Sequence, residues 1–222
     1  MVFKLYGSPM STCTARVKAV LEELNLKYEL IPINFGTGEH KQPPHIHRNP
    51  FGQVPALEDG DLTLFESRAI TRYLANNYHS SGAPDLLKKN DRKAGGVVNV
   101  WIEVESQQFN PAISPIFYQI FVAPRFGAAP DQNIIKDNVD KLAKILDVYE
   151  ARLSKCKYLA GDFFSLADLH HIPYTYYLMA TPHASLINSR PHVKAWWEDI
   201  SSRTDCKKVT DDMQAAAASA SK

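Results

Sequence analysis

The sequence predicts an α/β N-terminal domain followed by an all-helical one, and three observations carry this. Residues 1–80 show strand and helix patterns in the order β-α-β, connection, β-β-α. Ser80-Ser81-Gly82-Ala83-Pro84 then reads as a linker, placed over 81–90. Beyond it, over 91–213, apolar residues recur at helical spacing.

Val2 to Tyr6 is a short apolar strand ending at Gly7-Ser8-Pro9, and Val17, Val20, Leu21 and Leu24 mark one face of the helix that follows. Tyr28 to Ile33, rich in β-branched and aromatic residues, is a second strand. Gly36 to Pro50 is polar and holds Pro43-Pro44, so a long loop with one irregular helical turn is expected. From Pro55 to Phe65, Asp59-Gly60 separates two alternating segments, the signature of a tight hairpin centred on that pair. Ser67 is expected to cap a helix over Arg68–Tyr78, with Ile70, Tyr73 and Leu74 turned inward.

In the second half, Pro111 and Pro115 predict a kink or break. Ile135, Val139, Leu142, Leu146, Tyr149 and Leu153 form the single stripe of a long helix. Ser165 and Asp168 have capping-box spacing, with Phe164 and Leu169 as the staple, before an apolar run through Met179. Asp168 is therefore read as structural. Residues 214–222, QAAAASASK, are a low-complexity tail expected to lack structure.

The composition narrows the function classes. A chain of 222 residues with 45% hydrophobic and 22% charged residues is ordinary globular material. A formal net charge of +1 creates no global field toward nucleic acid or an anionic membrane. The start, MVFKLYGSPMSTC, reads as neither a secretory signal nor a transit peptide, and no run of about 18 apolar residues occurs. Cys13, Cys156 and Cys206 are too few and scattered for a disulfide scaffold or zinc site. Reduced thiols in a cytoplasmic protein follow as the expectation. His170-His171 lacks metal-ligand spacing, and Trp196-Trp197 reads as packing.

Five motifs carry a more specific signal. Ser8-Pro-Met-Ser-Thr12, Gly38-Glu-His-Lys41, Asn49-Pro-Phe-Gly-Gln-Val-Pro-Ala56 and Phe65-Glu-Ser-Arg-Ala-Ile70 stand in the first half. Leu159-Ala-Gly-Asp162 with Ser165-Leu-Ala-Asp168 stands in the second. Together they resemble cytosolic glutathione transferases, most closely the phi class of plants and fungi, in that family's order over nearly the whole chain. The resemblance implies a thioredoxin-like N-terminal domain that holds glutathione and a helical domain contributing an electrophile pocket. It further implies glutathione as co-substrate with no metal or permanent cofactor, hydrophobic electrophiles as partners, and a homodimer with Phe51 as an anchor.

The chemistry needs a thiolate, and a free thiol of pKa about 8.5 is only a few per cent ionised at neutral pH. Lowering that value by two units takes about 2.7 kcal/mol. One hydrogen bond to the charged sulfur supplies about 1.5–3 kcal/mol, and a helix N-terminus adds roughly 0.3–1 kcal/mol. Ser11 lies where the first strand gives way to the first helix, and the resemblance assigns it the bond to the glutathione sulfur. Thr12 is its neighbour and competitor. The resemblance also implies a cis Val54-Pro55 bond, with the Val54 main chain pairing the cysteinyl part of glutathione. Gln53, Glu66 and Ser67 would hold the γ-glutamyl end, and His40 with Lys41 the glycyl carboxylate. Met10, Thr12, Phe35, Phe117, Tyr118 and Phe121 are the candidates for the electrophile pocket. Tyr6 is placed in the strand and reads as core. The resemblance also implies peroxidase activity on organic hydroperoxides as a companion reaction. A ligandin-like carrier of apolar ligands and a Cys13-dependent thiol transferase are the alternative readings. Cys13, about 200° around the helix from Ser11, is expected to point elsewhere.

Overall fold

A computed structural model describes residues 2–78 and 82–219 and divides the chain into two compact units. One comprises Met1–Leu87 with Arg203–Lys222, the other Lys88–Ser202. The Ser80-Ser81 start of the expected linker lies outside the described residues. Residues 82–90 carry no helix or strand, yet Leu86 and Leu87 are buried.

The first unit is built on a four-stranded sheet in the order β2-β1-β3-β4. Strand β1 (Phe3–Gly7) pairs parallel with β2 (Tyr28–Pro32) and antiparallel with β3 (Ala56–Asp59). Strand β4 (Leu62–Phe65) pairs antiparallel with β3. The register sets Asp59 opposite Leu62, so the turn is Gly60-Asp61, one residue later than the Asp59-Gly60 pair suggests. Gly60 has φ +62° and supplies the positive angle such a turn requires at its first position. Helix α1 (Thr12–Glu23) connects β1 to β2 and packs against α3 (Ser67–Asn77). Leu5, Val17, Val20, Leu21, Leu57, Ile70 and Leu74 are fully buried here. Between β2 and β3 the polar segment makes a 3₁₀ turn, Glu39–Lys41, and a short helix α2, His45–Arg48, one ordered turn more than expected. Tyr6 is indeed core: its hydroxyl donates to Glu58 at 2.9 Å, and the Arg48 guanidinium sits 3.9 Å over its ring.

The second unit begins with α4 (Arg92–Val104), capped by Asp91. A π turn over Glu105–Phe109 leads into α5 (Asn110–Phe117), and a second over Tyr118–Val122 leads into a 3₁₀ turn, Ala123–Phe126. The expected break is thus a widening. Pro111 cannot donate to the ladder, and the preceding amide, Asn110 N–H, reaches back five residues to Glu105 O. Pro124 stands in the same relation to the second π turn, where Ala123 N–H reaches Tyr118 O. Helix α6 (Gln132–Leu153) buries Ile135, Leu142, Leu146, Tyr149 and Leu153, with Asn138 beside them. The run expected as one helix through Met179 is two, α7 (Leu166–Leu169) and α8 (Ile172–Met179), because Pro173 fits only near a helix start. A 3₁₀ turn (Pro182–Ala184), α9 (Ser185–Asn188) and α10 (Pro191–Ser202) complete the unit. Tyr149 sits at its centre, ringed by Trp101, Phe109, His171 and Trp196. His171 Nδ1 faces the Ala167 carbonyl at 2.7 Å and carries the hydrogen there, leaving Nε2 to accept from Tyr149 Oη at 3.0 Å.

Helix α11 (Thr204–Ser219) returns to the first unit and packs along α1. Residues 214–219 are therefore helical, not an unstructured tail, because alanine is the best helix former and α11 is already nucleated by packing upstream. Residues 220–222 lie outside the described residues.

Candidate active site

Register alone gathers the candidate residues of the first unit at one end of the sheet. Tyr6 stands opposite Ile31 on one side and Ala56 on the other, and Ala56 stands opposite Phe65. From this row β1 runs on to Ser11, β2 to Phe35 and His40, and β4 to Glu66 and Ser67. Strand β3 is entered through Gln53, Val54 and Pro55.

Ser11 is the N-cap of α1. Its backbone is extended (φ −76°, ψ 123°), and its Oγ accepts the Thr14 N–H at 3.2 Å. A hydroxyl whose oxygen already accepts keeps its O–H for another partner and is polarised toward donating. The Thr12 and Cys13 N–H groups have no carbonyl partner within the helix, and no acidic side chain occupies the first turn. The positive end of α1 is thus open to an anion. Thr12 is buried. Cys13 is half-buried, with Sγ 3.5 Å from Arg16 Nη1. Met10 donates its N–H to Ser8 Oγ at 3.4 Å.

At the start of α3, Ser67 is the first helical residue, and Glu66 holds the cap position without a capping side-chain bond. This corrects the expected Ser67 cap. Glu66 adopts φ 68°, a conformation costly for a residue with a Cβ. Ser67 is buried and its Oγ accepts from Arg16 Nη1 at 2.9 Å. Arg16, fully buried on α1, thereby brings a cation to the N-terminus of α3.

The Val54-Pro55 bond is cis, as is Pro43-Pro44. Val54 lies just outside β3, with its main chain beyond the last paired residue, Ala56. The carbonyl of Gln53 accepts from His45 Nε2 at 2.8 Å and Asn49 Nδ2 at 2.9 Å. Asn49 Oδ1 also accepts the Phe51 N–H, and Lys41 Nζ donates to Phe51 O at 2.9 Å. Gly52 has φ +58°, and a Cβ there would meet His40 O and Lys41 Cδ at 2.7 Å, so only glycine fits. The Gln53 side chain is exposed. His40 lies edge-on to Phe35, ring centroids 4.9 Å apart. Its pKa is lowered by burial first, then by the charges of Lys41 and His45, which keeps it neutral at pH 7.

In the second unit Phe117 and Phe121 stack at 5.6 Å, and Tyr174 and Tyr177 close the cluster, with Tyr177 4.8 Å from Phe117 and 5.0 Å from Phe121. Tyr118 is not part of it: half its surface is exposed. Among the described residues no cluster fit for a metal occurs, and no helix is long and apolar enough to cross a membrane.

Sequence reasoning missed His45, Asn49, Arg16, Tyr174 and Tyr177. For the tyrosines the signal was their three-residue spacing. For Arg16 it was a charge on the apolar face of α1. His45 gave none.

Residues 1–76 match the family described as glutathione S-transferase, N-terminal domain, and residues 109–204 match its C-terminal domain. Glutathione S-transferase F13 of Arabidopsis thaliana is 53% identical over 97% of this chain and 98% of its own length. Among solved structures, glutathione transferase F7 from Populus trichocarpa superimposes with a TM-score of 0.92 at 62% identity, over 95% of this chain and 99% of that one. Glutathione S-transferase I from maize, in complex with an atrazine glutathione conjugate, gives 0.89 at 51% identity, over 96% and 98%. The chain belongs to the glutathione S-transferase family, in its plant phi class, and is an enzyme that uses glutathione as co-substrate.

Proposed function

We propose that Ser11 is the thiolate-stabilising group of a serine-type glutathione transferase acting on hydrophobic electrophiles. The observation that carries this is the cap geometry: Ser11 Oγ is occupied by Thr14 N–H at the open end of α1, and its O–H is left to donate to sulfur. The glutathione thiol gives up its proton to solvent, and the resulting thiolate attacks the electrophilic carbon. The S–C bond forms as the leaving group departs with its electron pair. With an organic hydroperoxide the same thiolate attacks the distal oxygen, releasing the alcohol. A second glutathione then converts the sulfenic acid to disulfide and water.

Around that sulfur, Val54 pairs with the cysteinyl main chain. Gln53, Glu66 and Ser67 take the γ-glutamyl end, the Ser67 hydroxyl donating to the carboxylate while accepting from Arg16. His40 and Lys41 take the glycyl carboxylate. Met10, Thr12 and Phe35 serve the electrophile beside the sulfur, in keeping with the atrazine conjugate held by the maize relative. The protein acts as a cytoplasmic homodimer, in which Phe51, 64% exposed, is the apolar anchor into the partner subunit.

The test is the pH dependence of conjugation with an aryl halide. Wild type should show an apparent thiol pKa of roughly 6.5, about two units below the free thiol. Ser11→Ala should move it upward and lose most of the rate. An unchanged profile in Ser11→Ala would transfer the role to Thr12 or Cys13.

A further inference from the structure

We infer that His45 is a positioning residue for glutathione, acting through the Gln53 carbonyl on the Val54 main chain. This rests on the reading in which Val54 pairs with the cysteinyl part of the tripeptide. His45 opens α2, is fully buried and lies outside the row of residues that face the substrate. Its Nε2 stands 2.8 Å from Gln53 O. A carbonyl oxygen can only accept, so Nε2 carries the hydrogen and the imidazole is a donor at that atom. Its Nδ1 is buried with no partner among the described residues. The ring therefore meets its surroundings at one polar atom, and that atom is spent on one peptide group.

That peptide group matters because of where it lies. The Gln53 C=O belongs to the amide that joins Gln53 to Val54, so fixing its oxygen fixes the plane that carries the Val54 N–H. Nothing in the sheet does this: β3 pairing begins only at Ala56. The remaining restraint comes from Asn49 Nδ2 on the same oxygen, in a loop that Lys41 ties down at Phe51 O. Without the His45 bond the Val54 amide gains a rotational freedom that glutathione must remove on binding. The cost falls on association with glutathione and leaves the chemical step and the electrophile alone.

Two polar substitutions of similar burial separate this from a general structural role. The Gln amide nitrogen reaches the place of Nε2, whereas the shorter Asn amide reaches only that of Nδ1. His45→Asn should raise the KM for glutathione about ten-fold, the usual worth of one buried hydrogen bond, with kcat and the electrophile KM within about two-fold of wild type. Calorimetric binding of S-methylglutathione should weaken by the same factor, and His45→Gln should recover most of the loss in both assays. Equal behaviour of the Asn and Gln variants, or parallel changes in kcat and both KM values, would overturn the assignment. A glutathione analogue N-methylated at its cysteinyl amide probes the underlying pairing on its own. It should bind wild type poorly and be nearly indifferent to His45→Asn. If wild type binds it as tightly as glutathione, the Val54 pairing is wrong, and the inference falls with it. If the analogue binds poorly but His45→Asn leaves glutathione binding intact, only the His45 role is lost.

Discussion

Glu66 shows how one residue can serve the site against its own backbone preference. At φ 68° and ψ 105° it stands in a region where a Cβ costs roughly 1–3 kcal/mol, on the step between β4 and α3. Its carboxylate, exposed and free of a capping duty, is what such strain would be retained for. Glu66→Gly should therefore raise stability by about 1 kcal/mol, or 2–4 °C in the melting temperature of a chain this size. It should also raise the glutathione KM roughly five-fold as the charge-assisted bond to the γ-glutamyl ammonium is lost. A thermal melt and a glutathione titration of the one variant decide the matter: strain kept for binding requires both changes together. The sequence reveals little of this, since Glu66-Ser67 reads there as an ordinary helix start. Ser11 was more legible because a serine between an apolar strand and an amphipathic helix is already a cap by spacing. The missed His45 lies in a polar stretch without periodicity, and its burial follows only from how that stretch folds over Gln53.

At the level of elements, the best-read feature is the start of α7. Ser165 and Asp168 form the capping box their spacing predicts, and Asp168 does more than the motif requires. It accepts from Leu159 N–H at 2.9 Å, from Ser165 N–H and Oγ at 3.1 and 3.0 Å, and from Trp196 Nε1 at 2.9 Å. Complete burial pushes its pKa up to about 6, against the pull of those four donors. A carboxyl raised in the folded state contributes stability that is complete below its unfolded value near 4 and lost as pH rises through 6. Asp168→Asn, whose NH₂ takes the place of an oxygen that accepts two of the four donors, should cost about 1–3 kcal/mol at pH 8. The gap should widen by about 1.4 kcal/mol at pH 5, where only the wild type gains from the buried proton. Denaturant titrations at the two pH values measure it. A gap that narrows on acidification would mean that Asp168 stays anionic and the donors outweigh burial. The π turns were less legible than this box. Proline forbids a regular ladder in the sequence, but whether the chain breaks or widens is decided by packing around it.

Across the whole chain, the least expected feature is that the C-terminal residues complete the first unit. The chain leaves that unit after Leu87 and re-enters it at Arg203. The alanine-rich ending hides this, because low complexity and helix propensity look alike until a partner surface is known. That surface is α1. Glu23, buried near the end of α1, takes Arg203 Nε and Nη2 at 2.7 Å each, Glu22 takes Lys208 at 2.7 Å, and Lys18 reaches Asp212 at 2.6 Å. Cys206, Val209 and Met213 are buried. Three such side chains are worth roughly 5 kcal/mol as an upper bound, a large share of the 5–15 kcal/mol that holds an ordinary domain folded. Deleting residues 204–222 should therefore lower the melting temperature by about 10 °C or more and weaken retention on immobilised glutathione, since α1 also carries Ser11. The ion pairs divide unequally. Asp212→Ala leaves Lys18, 6% exposed, without its partner and should cost about 1–3 kcal/mol, whereas Lys18→Met at the same pair should be close to neutral. If both single variants cost the same, the pair is a surface contact, and apolar burial alone docks α11. If the deletion melts like wild type, α11 is an appendage and the first unit is complete without it.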